Sequence, residues 1–329
     1  MLATLASSLP TWSHALVRVD AVTVVMALLV SFIGWVVVRY SKHYMAGDPR
    51  QREYNVRLLA TVAAVFVVVI TNNLAVLIAA WAATSLAMHG LLTFYGERPV
   101  AVAVAHKKFL LARAADVSMV GAAVAFVTAY GTLRIDGIVA AATVDGSLPT
   151  AARVGAVLLV VTAVLKCAQI PFHGWLIQVM EAPTPVSALL HAGVVNLGGL
   201  VLIRLAPLVA EVPLAMALLV VVGGLTAAIA ALVMTTRISV KVMLAWSTCA
   251  QMGFMLMQCG LGLWEMALLH LVGHSLYKAH AFLSAGGVVR QSLVRQLAPA
   301  PAAPGAGASV LALLAAIGST ALVLLVFTQ

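Results

Sequence analysis

Continuous apolar stretches of about twenty residues alternate with short polar and basic segments along most of the chain. A helix that crosses a bilayer needs about 20 mostly apolar residues, whereas a membrane-spanning strand alternates apolar and polar residues over about ten. The stretches here are unbroken and rich in Ala, Leu and Val, so they predict helices. Ten membrane-spanning segments are predicted, at residues 20–39, 54–71, 73–95, 107–130, 153–171, 184–206, 212–235, 242–260, 264–289 and 308–327.

The composition excludes a soluble enzyme. Of the 329 residues, 63% are hydrophobic and 9% are charged, whereas a soluble domain is about 45–50% apolar and about 25% charged. A chain this apolar uses the bilayer as its solvent, which only helices and closed barrels can span. The predicted fold class is therefore an all-α polytopic membrane protein.

The net charge of +9 reflects a strong bias between the two sides of the predicted membrane domain. Loops 40–53, 96–106, 172–183, 236–241 and 290–307 share one side. With the adjoining helix ends that side carries twelve basic residues: Arg39, Lys42, Arg50, Arg52, Arg57, Arg98, Lys107, Lys108, Arg237, Lys241, Arg290 and Arg295. The other side carries four: Arg18, Arg134, Arg153 and Arg204.

Cytoplasmic loops collect Lys and Arg, so the basic side is predicted to be cytoplasmic. Both termini then face the periplasm, and the protein is expected in the inner membrane of a bacterial cell. This bias accounts for most of the positive charge, which makes nucleic acid a poor candidate partner. The lipid bilayer is the expected surrounding.

Three basic residues, Arg113, Lys166 and Lys278, fall inside predicted segments, where a charge costs about 2.5–3.5 kcal/mol on insertion scales. Such residues are functional candidates by default. Asp116 lies three residues after Arg113, so the two side chains share a helix face and can pair. That pair is either structural or part of a proton relay.

Lys166 has no acidic residue within reach along its own helix and lies five residues before Pro171. Proline removes a backbone donor and ends or kinks a helix. Pro183 and Pro185 follow before the next apolar run begins. A broken helix is therefore predicted near residues 166–185, similar to the discontinuous helices that build ion sites in transporters. The alternative for Lys166 is a structural lysine at a helix end.

His270, His274 and Lys278 are spaced four residues apart and so occupy one stripe of a helix. Histidines titrate near neutral pH, which makes a proton relay the leading hypothesis. Structural polar packing and a metal site are the alternatives. No HExxH motif or CxxC spacing supports a metal, so no metal, cofactor or catalytic centre is expected in this chain.

Several longer motifs resemble a known family, the antiporter-like membrane subunits. This family includes the large proton-pumping subunits of respiratory complex I and the Mrp-type sodium/proton antiporters. The motifs are ARAAD at 112–116, KCAQIPFHGWL at 166–176, APTPVSALLHA at 182–192, KVMLAWST at 241–248 and HLVGHSLYKA at 270–279. The resemblance implies two inverted five-helix repeats, each with a broken helix, around a central polar axis for protons. It adds His191 and Lys241 to the candidate pathway.

Mapped on this family, the chain divides into an N-terminal helix with a basic loop, a first repeat and a partial second one. The boundaries are residues 1–53, 54–206 and 212–289, then a Pro/Ala/Gly linker at 290–307 and a C-terminal helix at 308–329. The chain also departs from the family pattern. Ala82 replaces the usual glutamate after Trp81, which argues against proton pumping of the complex I kind. The last helix lacks the expected Pro, Lys or Asp, so an incomplete second repeat is expected.

Within the family, the motifs AHKKFLLAR at 105–113 and MEAPTPVSALLHAGVVNLGG at 180–199 resemble the DabB-type membrane subunits of two-component inorganic-carbon accumulation systems. This resemblance implies a large peripheral DabA-type partner on the cytoplasmic face, with a zinc site like that of a carbonic anhydrase. The chain would then be a non-enzymatic transport subunit that couples proton or sodium flow to inorganic-carbon uptake. The alternative is a proton-translocating subunit of an NADH–quinone oxidoreductase or an Mrp-type antiporter.

Overall fold

The computed structural model of the protein describes residues 16–144, 147–287, 297 and 305–327. These residues are helical with short connections, and the pairing between extended segments that the structure shows consists of isolated bridges at Val17–Thr71 and Asn73–Arg134. The chain divides into two units, residues 1–285 and 286–329. The all-α prediction is therefore confirmed, whereas the predicted linker at 290–307 lies largely outside the described residues.

The first unit contains thirteen α-helices among its described residues. They are α1 (Ala21–Tyr44), α2 (Gln51–Ile70), α3 (Leu74–Leu92), α4 (Pro99–Tyr130), α5 (Ile135–Val144), α6 (Thr150–Lys166), α7 (Gly174–Gln178), α8 (Thr184–Ala192), α9 (Leu197–Arg204), α10 (Ala206–Ala210), α11 (Pro213–Met234), α12 (Val240–Gly260) and α13 (Trp264–Ser284). Short 3-10 turns cover Val179–Glu181, Val194–Asn196 and Ala285–Gly287. The second unit contains α14 (Ala306–Phe327).

Seven helical segments in the described part of the chain are long and apolar enough to cross a membrane. They are α1, α2, α3, α4, the segment Thr184–Arg204, α11 and α12. The chain is thus a multi-pass membrane protein, but the predicted number of ten spanning helices is not confirmed. Helix α6, with 17 residues, is shorter than the about 20 residues that a straight span requires.

Helix α4 begins eight residues earlier than predicted. Pro99 occupies its first turn, where a proline is well tolerated because its missing N–H would be unsatisfied anyway. The helix therefore runs for 32 residues and includes Lys107 and Lys108. The two lysines therefore lie about two turns inside the helix, and counting them with a helix end was wrong.

The segment predicted as one helix at 184–206 is interrupted. Helix α8 ends at Ala192, a 3-10 turn covers Val194–Asn196, and α9 continues to Arg204. Gly193 stands at the interruption, where its backbone leaves the α-helical region. Glycine is tolerated there because it has no side chain to restrict the backbone.

Close contacts at two glycines fix how neighbouring helices pack against each other. A Cβ atom on Gly253 of α12 would lie 2.6 Å from the carbonyl oxygen of Gly223 on α11. A Cβ atom on Gly155 of α6 would lie 2.7 Å from the Phe126 ring on α4. Small residues let membrane helices approach closely, which is how such interfaces gain van der Waals contact. The second contact fixes α4, and with it Arg113 and Asp116, against α6.

Arg204, assigned from the sequence to the outer charges, is only 3% exposed. Its guanidinium donates to the carbonyl oxygens of Val68 and Thr71 at 3.3 and 2.9 Å and to the Thr23 hydroxyl at 2.8 Å. The last turn of a helix leaves carbonyl groups without partners inside the helix. Arg204 therefore joins the end of α2 to α1 and α9.

Candidate functional site

The chain leaves the helical path directly after Lys166, as predicted. Cys167–His173 forms an irregular connection with a cis Ile170–Pro171 bond, and Ala168 has a positive φ of 51°. Two contacts fix this connection: the Ile170 N–H donates to Thr226 Oγ1 at 3.1 Å, and Cys167 Sγ donates to the Val195 carbonyl at 3.3 Å. These two contacts hold the connection in a defined conformation, and Lys166 is the last residue of α6 before it.

The Lys166 ammonium lies among polar groups from two other helices. Its Nζ is 3.0 Å from Asp116 Oδ1 on α4 and 3.1 Å from Ser85 Oγ on α3. It also lies 5.2 Å from the centre of the Trp81 ring, a distance at which the ring face attracts a cation. Lys166 and Asp116 are 12% and 14% exposed, so water screens this pair poorly.

Asp116 joins two basic residues rather than one. Arg113 Nη2 lies 2.7 Å from Asp116 Oδ2, which confirms the predicted contact within α4. The second contact, to Lys166, corrects the view that the lysine is uncompensated, since its acidic partner comes from a different helix. The residue spacing along α6 does not identify a partner that lies on α4.

The position of the missing family glutamate directly follows a residue that contacts the same lysine. Ala82 follows Trp81, whose ring contacts the Lys166 ammonium. Without a carboxylate at Ala82, the acid that contacts Lys166 is Asp116. The lysine therefore has an acidic neighbour supplied from α4 instead of α3.

Lys108 belongs to this site, although the sequence analysis had counted it among the basic residues of the loops and helix ends. It is 5% exposed, and its Nζ donates to the Ser85 carbonyl oxygen at 3.3 Å. Lys108, Lys166, Ser85 and Trp81 line a cavity of about 20 Å³ together with Trp175 and Val194, which is room for about one water molecule. Pro99 was the signal that could have revealed an earlier helix start and hence a buried Lys108.

The second cluster gathers around the interruption between α8 and α9. His274 Nε2 lies 3.2 Å from the carbonyl oxygen of His191. Asn196 Nδ2 donates to the Ala192 carbonyl at 2.9 Å and to the Ser275 hydroxyl at 2.7 Å. Helix α13 thus provides partners for polar groups near the interruption. The fully buried His191 ring stacks on Phe282, also of α13, with ring centres 4.4 Å apart.

His270, His274 and Lys278 occupy one side of α13, as their spacing predicts. The two imidazole ring centres are 6.1 Å apart, and His270 Nδ1 lies 3.0 Å from Gln258 Oε1. Lys278 is fully buried and donates to Ser247 Oγ at 2.6 Å and to the Leu244 carbonyl at 3.1 Å. This row of titratable groups can hold protons, and whether it conducts them stays a prediction.

The remaining candidates are placed as follows. Lys241 is half-buried in the first turn of α12, and none of the contacts found among the described residues joins it to Lys166 or Lys278. Pro183 and Pro185 flank the start of α8 and are buried. In the described part of the chain, no group of three or more His, Cys, Asp or Glu residues is arranged to hold a metal ion.

Comparison with known proteins gives a consistent family. Residues 71–299 match the transmembrane family described as NADH:quinone oxidoreductase/Mrp antiporter, and residues 13–55 match the N-terminus of complex I chain 5. The chain is 51% identical over 287 residues to the probable inorganic carbon transporter subunit DabB of Hydrogenovibrio crunogenus, covering 87% of this chain and 55% of that protein. The corresponding values for the probable subunit DabB2 of Halothiobacillus neapolitanus are 48%, 86% and 52%.

A solved structure supports the same relationship. The Mrp complex from Dietzia sp. matches with a TM-score of 0.78 and 30% identity, covering 86% of this chain and 32% of that one. The chain spans about half the length of the curated relatives it matches. Since the family match covers well over half of its length, the chain belongs to the antiporter-like membrane subunits of the NADH:quinone oxidoreductase/Mrp antiporter family.

Proposed function

We propose that the chain is the ion-conducting membrane subunit of an inorganic-carbon uptake complex. The observation that carries this proposal is the Lys166–Asp116 ion pair, held at 3.0 Å at the break after α6. The chain's likeness to subunits named as probable inorganic carbon transporters supports inorganic carbon, as CO₂ or bicarbonate, as the proposed class of substrate. The driving ion is a proton or a sodium ion.

The chemistry that the site offers is proton binding and release by Lys166. A lysine is costly to keep charged at low dielectric, and that cost is what allows a buried lysine to exchange its proton. Asp116 stabilises the ammonium form, whereas Arg113 competes for the same carboxylate. A shift of Asp116 between its two basic partners would therefore change how firmly Lys166 holds its proton.

The second step of the proposed pathway runs along α13. Val194, in the turn after α8, lines the cavity beside Lys166. The carbonyl oxygen of His191, in the last turn of α8, contacts His274 Nε2. Protons that leave the first cluster would reach His274 past this turn and continue along the stripe to His270 and Lys278. Lys241, at the start of α12, would serve at an end of this path.

The proposed partner is a large peripheral subunit of the DabA type on the cytoplasmic face, whose zinc site would hydrate CO₂. The chain itself would supply ion flow and no catalysis. In the proposed orientation, the basic loops lie on the cytoplasmic side of a bacterial inner membrane, where the partner would bind. The termini then face the periplasm. The charge bias of the loops supports this orientation.

Lys166→Ala tests the proposal in a host without its own carbonic anhydrase, which carries the complete two-subunit system and must grow in air. We expect growth at high CO₂ but not in air, with a normal amount of protein in the membrane. Lys166→Arg is the matched variant: it keeps the positive charge, but arginine does not release its proton, so it should fail as well. Growth in air of either variant at wild-type rate removes Lys166 from the mechanism.

A proton-translocating subunit of an NADH–quinone oxidoreductase or an Mrp-type antiporter is the second candidate. The observation that favours it is the match of residues 71–299 to the NADH:quinone oxidoreductase/Mrp antiporter family. The Asp116–Lys166 contact serves both functions equally, because it gives the lysine an acidic neighbour despite Ala82. Purification of the complex from native membranes and identification of its other subunits separate the two functions. A zinc-containing peripheral protein supports carbon uptake, and respiratory or Mrp subunits support the alternative.

A further inference from the structure

Two lysines, not one, converge on the same serine in the first cluster. We propose that Lys108 is a second proton-exchanging residue of the Lys166 site, so that a proton passes between the two lysines through a water molecule in the cavity that both of them line. The inference rests on the proposed ion-conducting function and adds a residue and a step to it.

The geometry brings both amines to opposite ends of one residue. Lys166 Nζ lies 3.1 Å from the Ser85 hydroxyl, and Lys108 Nζ lies 3.3 Å from the Ser85 carbonyl oxygen. Both lysines also line the cavity of about 20 Å³. A cavity of this size accommodates about one water molecule where polar groups can hold it, and Lys108, Lys166 and Ser85 supply such groups.

The charges around the cavity do not balance when every basic group is protonated. Lys108, Arg113 and Lys166 would carry three positive charges, and Asp116 carries one negative charge. Asp116 is already engaged with Arg113 and Lys166. The ion pairs that the structure shows for Asp116 therefore go to Arg113 and Lys166 and not to Lys108.

Two interacting basic groups at low dielectric share protons as a pair rather than titrating independently. A proton on Lys108 disfavours a proton on Lys166, and the reverse holds equally. In the transfer, the Lys108 ammonium gives a proton to the oxygen of the water molecule, and that oxygen gives one of its own protons to the neutral Lys166 amine. No other reactant is required, and the total charge of the site stays constant during the step.

The alternative explanation for Lys108 is a purely structural one, in which it joins α4 to α3 through the Ser85 carbonyl. Lys108→Met and Lys108→Arg distinguish the two. Methionine has a similar length and apolar character but carries no proton, and arginine can keep the hydrogen bond but does not release a proton. Lys107→Met is the control, because Lys107 is the exposed neighbour on the same helix, bonded to Gln178 at 3.3 Å.

The experiment measures the rate of cation-driven inorganic-carbon uptake against pH, in cells that contain the complete complex, with the protein amount determined for each variant. Both Lys108 variants should lose about 10²-fold in rate, the lower end of the contribution of about 10²–10⁴-fold made by a positioned proton-transferring group. Any residual activity should have a changed pH profile. Lys107→Met should keep the rate and the profile of the wild type.

The inference is overturned if Lys108→Arg retains the wild-type rate, or if Lys108→Met lowers only the amount of protein and leaves the pH profile unchanged. Lys166→Ala, measured in parallel, separates this failure from that of the proposed function. If the Lys166 variant is inactive and Lys108→Arg is active, the proposed function stands and Lys108 is excluded as a proton-exchanging residue. An active Lys166 variant rejects the proposed function itself.

Discussion

Replacement of Asp116 by asparagine removes one negative charge while keeping the shape of the side chain. In the protein, Asp116 holds Lys166 at 3.0 Å and Arg113 at 2.7 Å. Asparagine can still accept a hydrogen bond, but it leaves both cations without a counter-ion. We expect Asp116→Asn to block ion conduction and to disfavour the charged form of Lys166.

The size of the effect follows from distance and burial. Two unit charges 3.0 Å apart interact by about 5.5 kcal/mol at an effective dielectric constant of about 20, before the cost of desolvation. Removing one partner of a buried pair typically destabilises a protein by about 3–5 kcal/mol, because the other charge stays uncompensated. Arg113 is 33% exposed and can turn toward water, so we expect the lower end of that range.

Growth in air and the amount of protein in the membrane are the two measurements for this variant. Asp116→Asn should prevent growth in air and reduce the protein amount only in part, whereas Asp116→Glu should restore part of the growth by restoring the charge. Wild-type growth of Asp116→Asn, in a host where Lys166→Ala fails, would refute the reasoning. The lysine would then work without the ion pair that the structure shows.

Three further predictions concern other parts of the molecule. If His270 and His274 act as one relay, the double alanine variant should take up carbon little worse than either single variant; losses that multiply would point to independent packing roles. Gly253→Val should lower the amount of folded protein in detergent, because its Cβ atom would lie 2.6 Å from a carbonyl oxygen of α11, while Gly273→Val, where no neighbour lies within 4 Å of the added Cβ atom, should cost far less. Reversing the exposed Lys42 and Arg52, in the last turn of α1 and the first turn of α2, to glutamate should lower recovery of a cytoplasmic partner at low salt, with orientation checked by a topology reporter; unchanged recovery would exclude these two helix ends as the docking site.

The sequence reveals those features of the site that depend on local spacing. Arg113 and Asp116 are three residues apart, which places them on one face of any helix, and the structure pairs them. Pro171 predicts the break after α6 because a proline interrupts helical hydrogen bonding. The row of His270, His274 and Lys278 likewise follows from a four-residue repeat on a single helix.

Features that depend on contacts between distant helices were missed. The pairing of Lys166 with Asp116 joins residues that lie on α6 and α4, and no periodicity along either helix reports it. Lys108 was misjudged because the apolar run was taken to begin at 107, although Pro99 starts the helix two turns earlier. The interruption at Gly193 also escaped detection, since a glycine in an apolar run is often tolerated within a helix.

The interruption at Gly193 explains how two separate polar clusters can belong to one pathway. Val194 lines the cavity of the Lys166 cluster, and Asn196 donates to Ser275 beside the His274 cluster. In a continuous helix the carbonyl groups near this point would be used by the helix itself. Here the His191 carbonyl meets His274 instead, so a local unwinding of the backbone supplies polar groups at membrane depth. Because non-helical backbone at that depth is tolerated only where it is buried in protein or lines a water-filled cavity, the position of this turn between the clusters is the structural reason to treat them as one site.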